Sequence, residues 1–164
     1  MRALLCGVEE FENTAGLRVA HGIREQLLSA SPDFIASLET GKQADPWRFG
    51  FGVIHKIDNV LMGMCGFPDP PDAEGIVEIA YGIAPEYQGR GYATEAAKAL
   101  IGFATNDLRV EALRAHTLPE ANASTHILEK CGFHRAGEAI DEGNVVWRWE
   151  RASLSNSGKA RKSS

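Results

Sequence analysis

Residues Gln88-Gly89-Arg90-Gly91-Tyr92-Ala93 stand between a strand pattern and a helix pattern, and few architectures place two glycines there. Before them runs Ile76 to Ile83, rich in β-formers and followed by Pro85. After them Ala93, Ala96, Ala97, Leu100, Ile101 and Ala104 recur at helical spacing, with Glu95 and Lys98 off that stripe. The pattern is strand, glycine turn, helix N-terminus. The first N–H groups of a helix have no partner within it, and the peptide dipoles point their positive end there. A phosphate suits such a site, and glycines let it approach the main chain. An ordinary tight strand-to-helix connection is the plainer reading of the same residues.

Two familiar phosphate motifs do not fit. The G-x-x-x-x-G-K-[ST] loop needs a lysine that does not follow Gly91, and the dinucleotide fingerprint needs a third glycine that is missing at its place. The string instead resembles the pyrophosphate loop of the GNAT superfamily of acyl-CoA N-acyltransferases, [RQ]-x-x-G-x-[GA], with Gln88, Gly91 and Ala93 at the fixed positions. A second block, from Ala123 through Ser124, Leu128, Glu129, Lys130, Gly132 and Phe133, is similar to that family's N-x-x-S-x-x-x-L-E-K-x-G-F helix, especially in its Rim-like (ribosomal-protein acetyltransferase) branch. The resemblance extends from about Phe49 to Glu150 and is thin before that.

The resemblance implies an α/β (mixed α+β) fold: a mixed, largely antiparallel sheet of about seven strands, splayed at the cofactor site and flanked by about four helices. It implies acetyl-CoA as the acyl donor and a primary amine as acceptor: a protein N-terminus, an amino acid or another small amine. Backbone N–H groups of Gly89, Arg90, Gly91, Tyr92, Ala93 and Thr94 would hold the pyrophosphate, with Gln88 at the loop's first fixed position. Main-chain groups at Ile83 would pair with pantetheine and supply an oxyanion donor. Glu78 is the general-base candidate, an acidic residue in a strand otherwise built of apolar and small residues, where burial would raise its pKa. Glu78 facing solvent or pairing with a basic neighbour is the rival reading.

The second block departs from the family twice. The usual asparagine position falls on Ala121, with Asn122 one place later, so Asn122 reads either as a cofactor contact or as an N-cap. Leu128 stands where many members carry a tyrosine acid, which leaves Ser124 as the candidate acid, as in the Rim-like branch. A thiolate also leaves acceptably unaided. A non-catalytic acyl-CoA-binding domain would keep the same loop without needing Glu78, and a free nucleotide is a further ligand for it.

Composition narrows the remaining classes. A net charge of −5 disfavours a nucleic-acid backbone and tolerates a cationic amine. Cys6, Cys65 and Cys131 form no C-x-x-C pair, as expected of reduced thiols in a cytoplasmic protein. The histidines show no metal-ligand spacing, no G-x-S-x-G elbow is present, and no apolar run is long enough to span a membrane. One acyltransferase domain over 1–150 and a disordered tail over 151–164 are expected. Dimers are common in the family, and nothing in the sequence decides between monomer and homodimer.

The remaining pattern predicts a strand at Ala3–Val8, helical segments through Leu17–Leu28 and Phe34–Leu38, and a hairpin turning at Asp58-Asn59 between strands near Phe49–Ile54 and Val60–Phe67. A proline-rich loop follows at Pro68–Gly75. Further strands are predicted at Val110–Thr117 and Val145–Glu150, and a helix ending at Cys131 with Gly132 in a left-handed cap.

Overall fold

The computed structural model describes residues 1–153 and divides them into two compact units, Met1–Gly66 with Tyr81–Ala93, and Phe67–Ala80 with the residues from Thr94 onward. The expected tail over 151–164 lies mostly outside the described residues. Arg151 and Ala152 are within the last strand, two residues past the expected domain end.

The first unit begins with short helices where the sequence predicts a strand: α1 (Arg2–Cys6) and α2 (Val8–Ala15), separated by the extended Gly7. Leu4 of the first helix and Phe11 of the second are buried. The helix predicted through Leu17–Leu28 is interrupted. Arg18–Val19 forms β1, Gly22 takes a positive φ of 84°, and α3 covers only Ile23–Leu28. Next come α4 (Pro32–Thr40), capped by the Ser31 hydroxyl, and α5 (Pro46–Phe49), capped by the Asp45 carboxylate.

The predicted hairpin is present as β2 (Phe51–His55) and β3 (Val60–Gly66), with Asn59 at φ 54°. β1 runs parallel to β3, β2 runs antiparallel to it, and β5 (Ala80–Ile83) also pairs with β3. Gly63 permits this last pairing, since a Cβ there would fall 2.4 Å from the Gly82 carbonyl oxygen. Leu4, Ile23, Leu27, Leu61 and Ile83 belong to the core of this unit.

The second unit is a four-stranded sheet in the order β4-β6-β8-β7, formed by β4 (Ile76–Glu78), β6 (Ala112–Thr117), β8 (Asn144–Ala152) and β7 (His134–Asp141). β4 and β6 are parallel, and the other two pairings antiparallel. The edge strand β7 is absent from the sequence expectation because it is mostly polar and shows no clean alternation. Its turn, Glu142-Gly143, has two positive φ angles (47° and 82°), the hairpin geometry that matches strand twist. A bulge lies between Arg135 and Gly137 of β7, and in β8 the buried residues are Val146 and Trp149 rather than the alternating set expected.

Two helices carry the motifs. α6 (Tyr92–Thr105) starts and stops where the pattern predicts, and buries Ala96, Ala97, Leu100, Ile101 and Ala104. α7 (Ala123–Lys130) is followed by Gly132 at φ 84°, and the Phe133 N–H donates to the Leu128 carbonyl at 3.0 Å. Among the described residues eight strands and seven α-helices therefore build the mixed α/β fold, more helices than expected because residues 1–49 hold five short ones. The Glu78 strand is broken at Ile79. The Ile79 N–H donates to Arg114 on β6, whereas the Ala84 N–H donates to Met62 on β3, so its partners change within six residues.

Candidate active site

The loop in the first unit is tied to the strand that precedes it. β5 ends at Ile83, a 3-10 turn covers Pro85–Tyr87, and the Gln88 side-chain amide reaches back to donate to the Ile83 carbonyl at 2.9 Å. Gln88, expected to face the cofactor, thus closes the turn through its side chain. Gly89 and Gly91 follow with φ of 74° and 86°, conformations costly for any residue with a Cβ. A Cβ built on either glycine meets nothing within 4 Å. Glycine is required here by backbone conformation, and the open space beside it fits the approach of a pyrophosphate. Tyr92, Ala93 and Thr94 are the first three residues of α6, where the helix dipole favours an anion. The Arg90 guanidinium lies 5.6 Å from the Tyr87 ring centroid.

A side-chain network that the sequence does not announce holds the start of α6. His55 Nδ1 lies 3.2 Å from both the Asp58 N–H and the Asp58 carboxylate, and Nε2 shares a hydrogen bond with the Tyr92 hydroxyl at 2.8 Å. The Tyr87 hydroxyl donates to the Asp58 carboxylate at 3.2 Å, and burial followed by that contact pushes the Tyr87 phenol pKa up. Arg18 donates to the Asp58 carbonyl. The one hint in the sequence is the Asp58-Asn59 turn, which brings His55 and Asp58 within one hairpin end.

The second unit places Glu78 at the end of β4, in register with Arg114 of β6. Its carboxylate accepts a hydrogen bond from His116 Nδ1 at 2.9 Å. The expectation of a buried acid among apolar neighbours needs correcting. Val77 and Ile79 are buried, but the two-residue period of the strand turns Glu78 to the other face, where its side chain is 36% exposed. The rival reading, a pairing with a basic neighbour, describes its position. Arg114 and Arg148 both reach Glu150, at 3.1 and 3.3 Å, so the same face carries a ladder of alternating charges. Nothing in the local sequence singles out His116 as a partner for Glu78. Its only signal is the alternation of β6, with Leu113, Ala115 and Thr117 buried and Arg114 and His116 between them.

Asn122 is an N-cap. Its side-chain oxygen accepts from the Thr125 N–H at 3.1 Å, while the Thr125 hydroxyl accepts from the Asn122 N–H at 3.0 Å. Ser124 lies in the first turn of α7, half-buried, and no hydrogen bond joins it to Glu78. Cys131 is buried at the end of that helix, and burial raises its thiol pKa, which argues against a nucleophile. Among the described residues no group of His, Cys, Asp and Glu is arranged to hold a metal, and no helix is long and apolar enough to cross a membrane.

Comparison with known proteins supplies the family. An uncharacterized N-acetyltransferase, p20, of Bacillus licheniformis is 30% identical over 87 residues, covering 53% of this chain and 49% of that protein. The spermidine N(1)-acetyltransferase of Vibrio cholerae is 28% identical over 68 residues, 42% of this chain and 39% of that one. An acetyltransferase of the GNAT family from Bacillus anthracis has a solved structure that superposes with a TM-score of 0.56 at 28% identity, covering 63% of this chain and 65% of the other. The chain thus spans about half the length of p20. The family description "Acetyltransferase (GNAT) domain" matches residues 18–134, which take in both the glycine loop and the α7 motif, and the chain belongs to that family.

Proposed function

We propose that the chain is an N-acetyltransferase, transferring an acetyl group from acetyl-CoA to a primary amine by direct attack within a ternary complex. The observation that carries this reading is the Gln88–Ala93 loop: two left-handed glycines with open space beside them, leading into a 14-residue helix, in a member of the GNAT family. Gly89, Arg90, Gly91, Tyr92, Ala93 and Thr94 hold the pyrophosphate through backbone N–H groups, with charge from the Arg90 side chain. Gln88 keeps the loop folded onto Ile83, whose main chain meets pantetheine. Acetyl-CoA supplies an acyl carbon with a thiolate leaving group. Removal of the amine proton falls to the Glu78 centre, and Ser124 is the candidate to protonate the thiolate, a step that solvent can also perform. Asn122 serves mainly the start of α7, because its side-chain oxygen is already engaged there.

The acceptor is a small cationic amine or a protein N-terminus. The net charge of −5 and the resemblance to a spermidine acetyltransferase favour the first, and the Rim-like second motif favours the second. Reduced thiols and the absence of membrane-spanning helices among the described residues suit work in the cytoplasm. Calorimetric titration with acetyl-CoA, followed by thiol-release assays with spermidine, lysine and an alanyl peptide amide, tests the proposal. Micromolar binding with turnover of one acceptor is expected. Binding without turnover of any amine would favour an acyl-CoA-binding domain, and no binding would overturn the acyltransferase reading.

A further inference from the structure

The Glu78 carboxylate contacts His116 through Nδ1. A carboxylate can only accept, so Nδ1 carries the hydrogen and the neutral imidazole keeps its lone pair on Nε2. From this geometry we propose that His116 is the proton-accepting group of the transferase, with Glu78 fixing its tautomer and compensating its charge. The proposal rests on the acyltransferase reading above and refines the role given there to Glu78.

The pairing follows from strand register. β4 runs parallel to β6 with Glu78 opposite Arg114, so His116, two residues further along β6, is the diagonal neighbour on the same face. The other face of the strand fixes that register: Leu113 and Ala115 are buried, and Trp149 Nε1 donates to the Thr117 hydroxyl at 3.0 Å. A rigid sheet therefore holds the dyad, rather than a loop. His116 is 22% exposed on its side chain, enough for a proton to enter and leave.

The surrounding charges favour division of labour within the pair. Arg148 on β8 lies directly opposite His116, and Arg114 on the histidine's own strand lies opposite Glu78. Both guanidinium groups oppose a positive imidazole, and Glu150 between them offsets that only in part. Glu78 is the anion in contact with the ring, so an imidazolium formed there is neutralised where it forms. Imidazole is also the side chain whose ordinary pKa lies nearest neutral pH, which suits a general base. In the step itself the amine lone pair forms the bond to the acyl carbon as the carbonyl π pair moves onto oxygen. An N–H bond breaks with its electron pair kept on nitrogen and its proton forming the Nε2–H bond. The oxygen pair then returns as the C–S bond breaks and its pair leaves on the coenzyme A thiolate. The imidazolium then returns that proton to water.

Two substitutions and two readouts test this. His116→Asn keeps an amide donor for Glu78 and removes the base, whereas Glu78→Gln keeps the imidazole and removes its counter-charge. Expected for His116→Asn is a loss of kcat of about a hundredfold or more, with unchanged acetyl-CoA affinity and no acid limb in the pH profile. Expected for Glu78→Gln is a smaller loss, about tenfold, again with unchanged acetyl-CoA affinity. Nitrogen NMR of the ligand-free protein should show the neutral His116 ring protonated on Nδ1. A ring protonated on Nε2 would overturn the proposal. So would a His116→Asn variant that turns over normally while Glu78→Gln is inactive, an outcome that leaves the acyltransferase reading intact and makes Glu78 the base. Failure of the wild type to bind acetyl-CoA would remove both.

Discussion

The glycine loop and the polar face of the second sheet do their work by different means. Between Gly89 and Thr94 the groups proposed to bind the cofactor are main-chain N–H donors, while side chains hold the loop: Gln88 on Ile83, His55 on Tyr92. On the β4-β6-β8 face the groups proposed to act are side chains, and the backbone ladder sets their pairing, as in Glu78 with His116 and Arg114 with Glu150. A backbone site depends on conformation, so it demands particular residues at particular positions. A side-chain site depends on register between strands distant in the chain, and a wide choice of residues satisfies it.

The contrast can be broken most sharply at Gly91. Gly91→Glu forces a Cβ into a backbone at φ 86° and sets a carboxylate where phosphate is expected. Acetyl-CoA affinity should fall at least about a hundredfold, roughly 2.7 kcal/mol by calorimetry. Asn122→Ala should cost about 1 kcal/mol in chemical denaturation through loss of the capping box, with acetyl-CoA affinity changed less than about threefold. A drop in affinity beyond about tenfold would instead mark Asn122 as a cofactor contact. Tyr92→Phe removes the hydroxyl that His55 holds, and should weaken acetyl-CoA binding only a few-fold, with a stability loss of about 1 kcal/mol. A Tyr92→Phe variant as damaged as Gly91→Glu would show that side chains, rather than the main chain, make the loop.

The smallest effect is expected outside both regions. Hydrogen bonds from the Arg109 side chain and backbone hold the Asp107 pKa at about 2, below its ordinary 3.8. A carboxylate with a lowered folded-state pKa stabilises the fold above its unfolded value and loses that contribution as pH falls through the folded value. Asp107→Asn should therefore slightly destabilise the protein at neutral pH, and the two unfolding profiles should converge between pH 3.8 and about 2. A difference that persists below pH 2 would point to packing rather than charge.

Local signals were enough for α6 and the β2–β3 hairpin, where an apolar period meets a stop or turn residue such as Asn59 at φ 54°. α7 follows from the motif resemblance, with Gly132 past Cys131 as its stop. The N-terminal helices were misread as a strand because Ala3–Val8 is too short to show a period, and the burial of Leu4 and Phe11 emerges only with both helices in place. β7 was missed because an edge strand with one solvated side carries little apolar pattern.

The candidate site divides along the same line. Gly89 and Gly91 were legible because only glycine adopts a left-handed backbone cheaply, a constraint that belongs to the residue itself. The anchors His55 and Asp58 and the partner His116 were not, because hydrogen bonds between residues 29 to 38 positions apart leave no local trace. The chain's own order settled where the backbone must turn left-handed before α6. The register of β4 on β6 gave Glu78 a partner, and that register comes from which residues are buried together on the opposite face, a property of the folded sheet rather than of any segment.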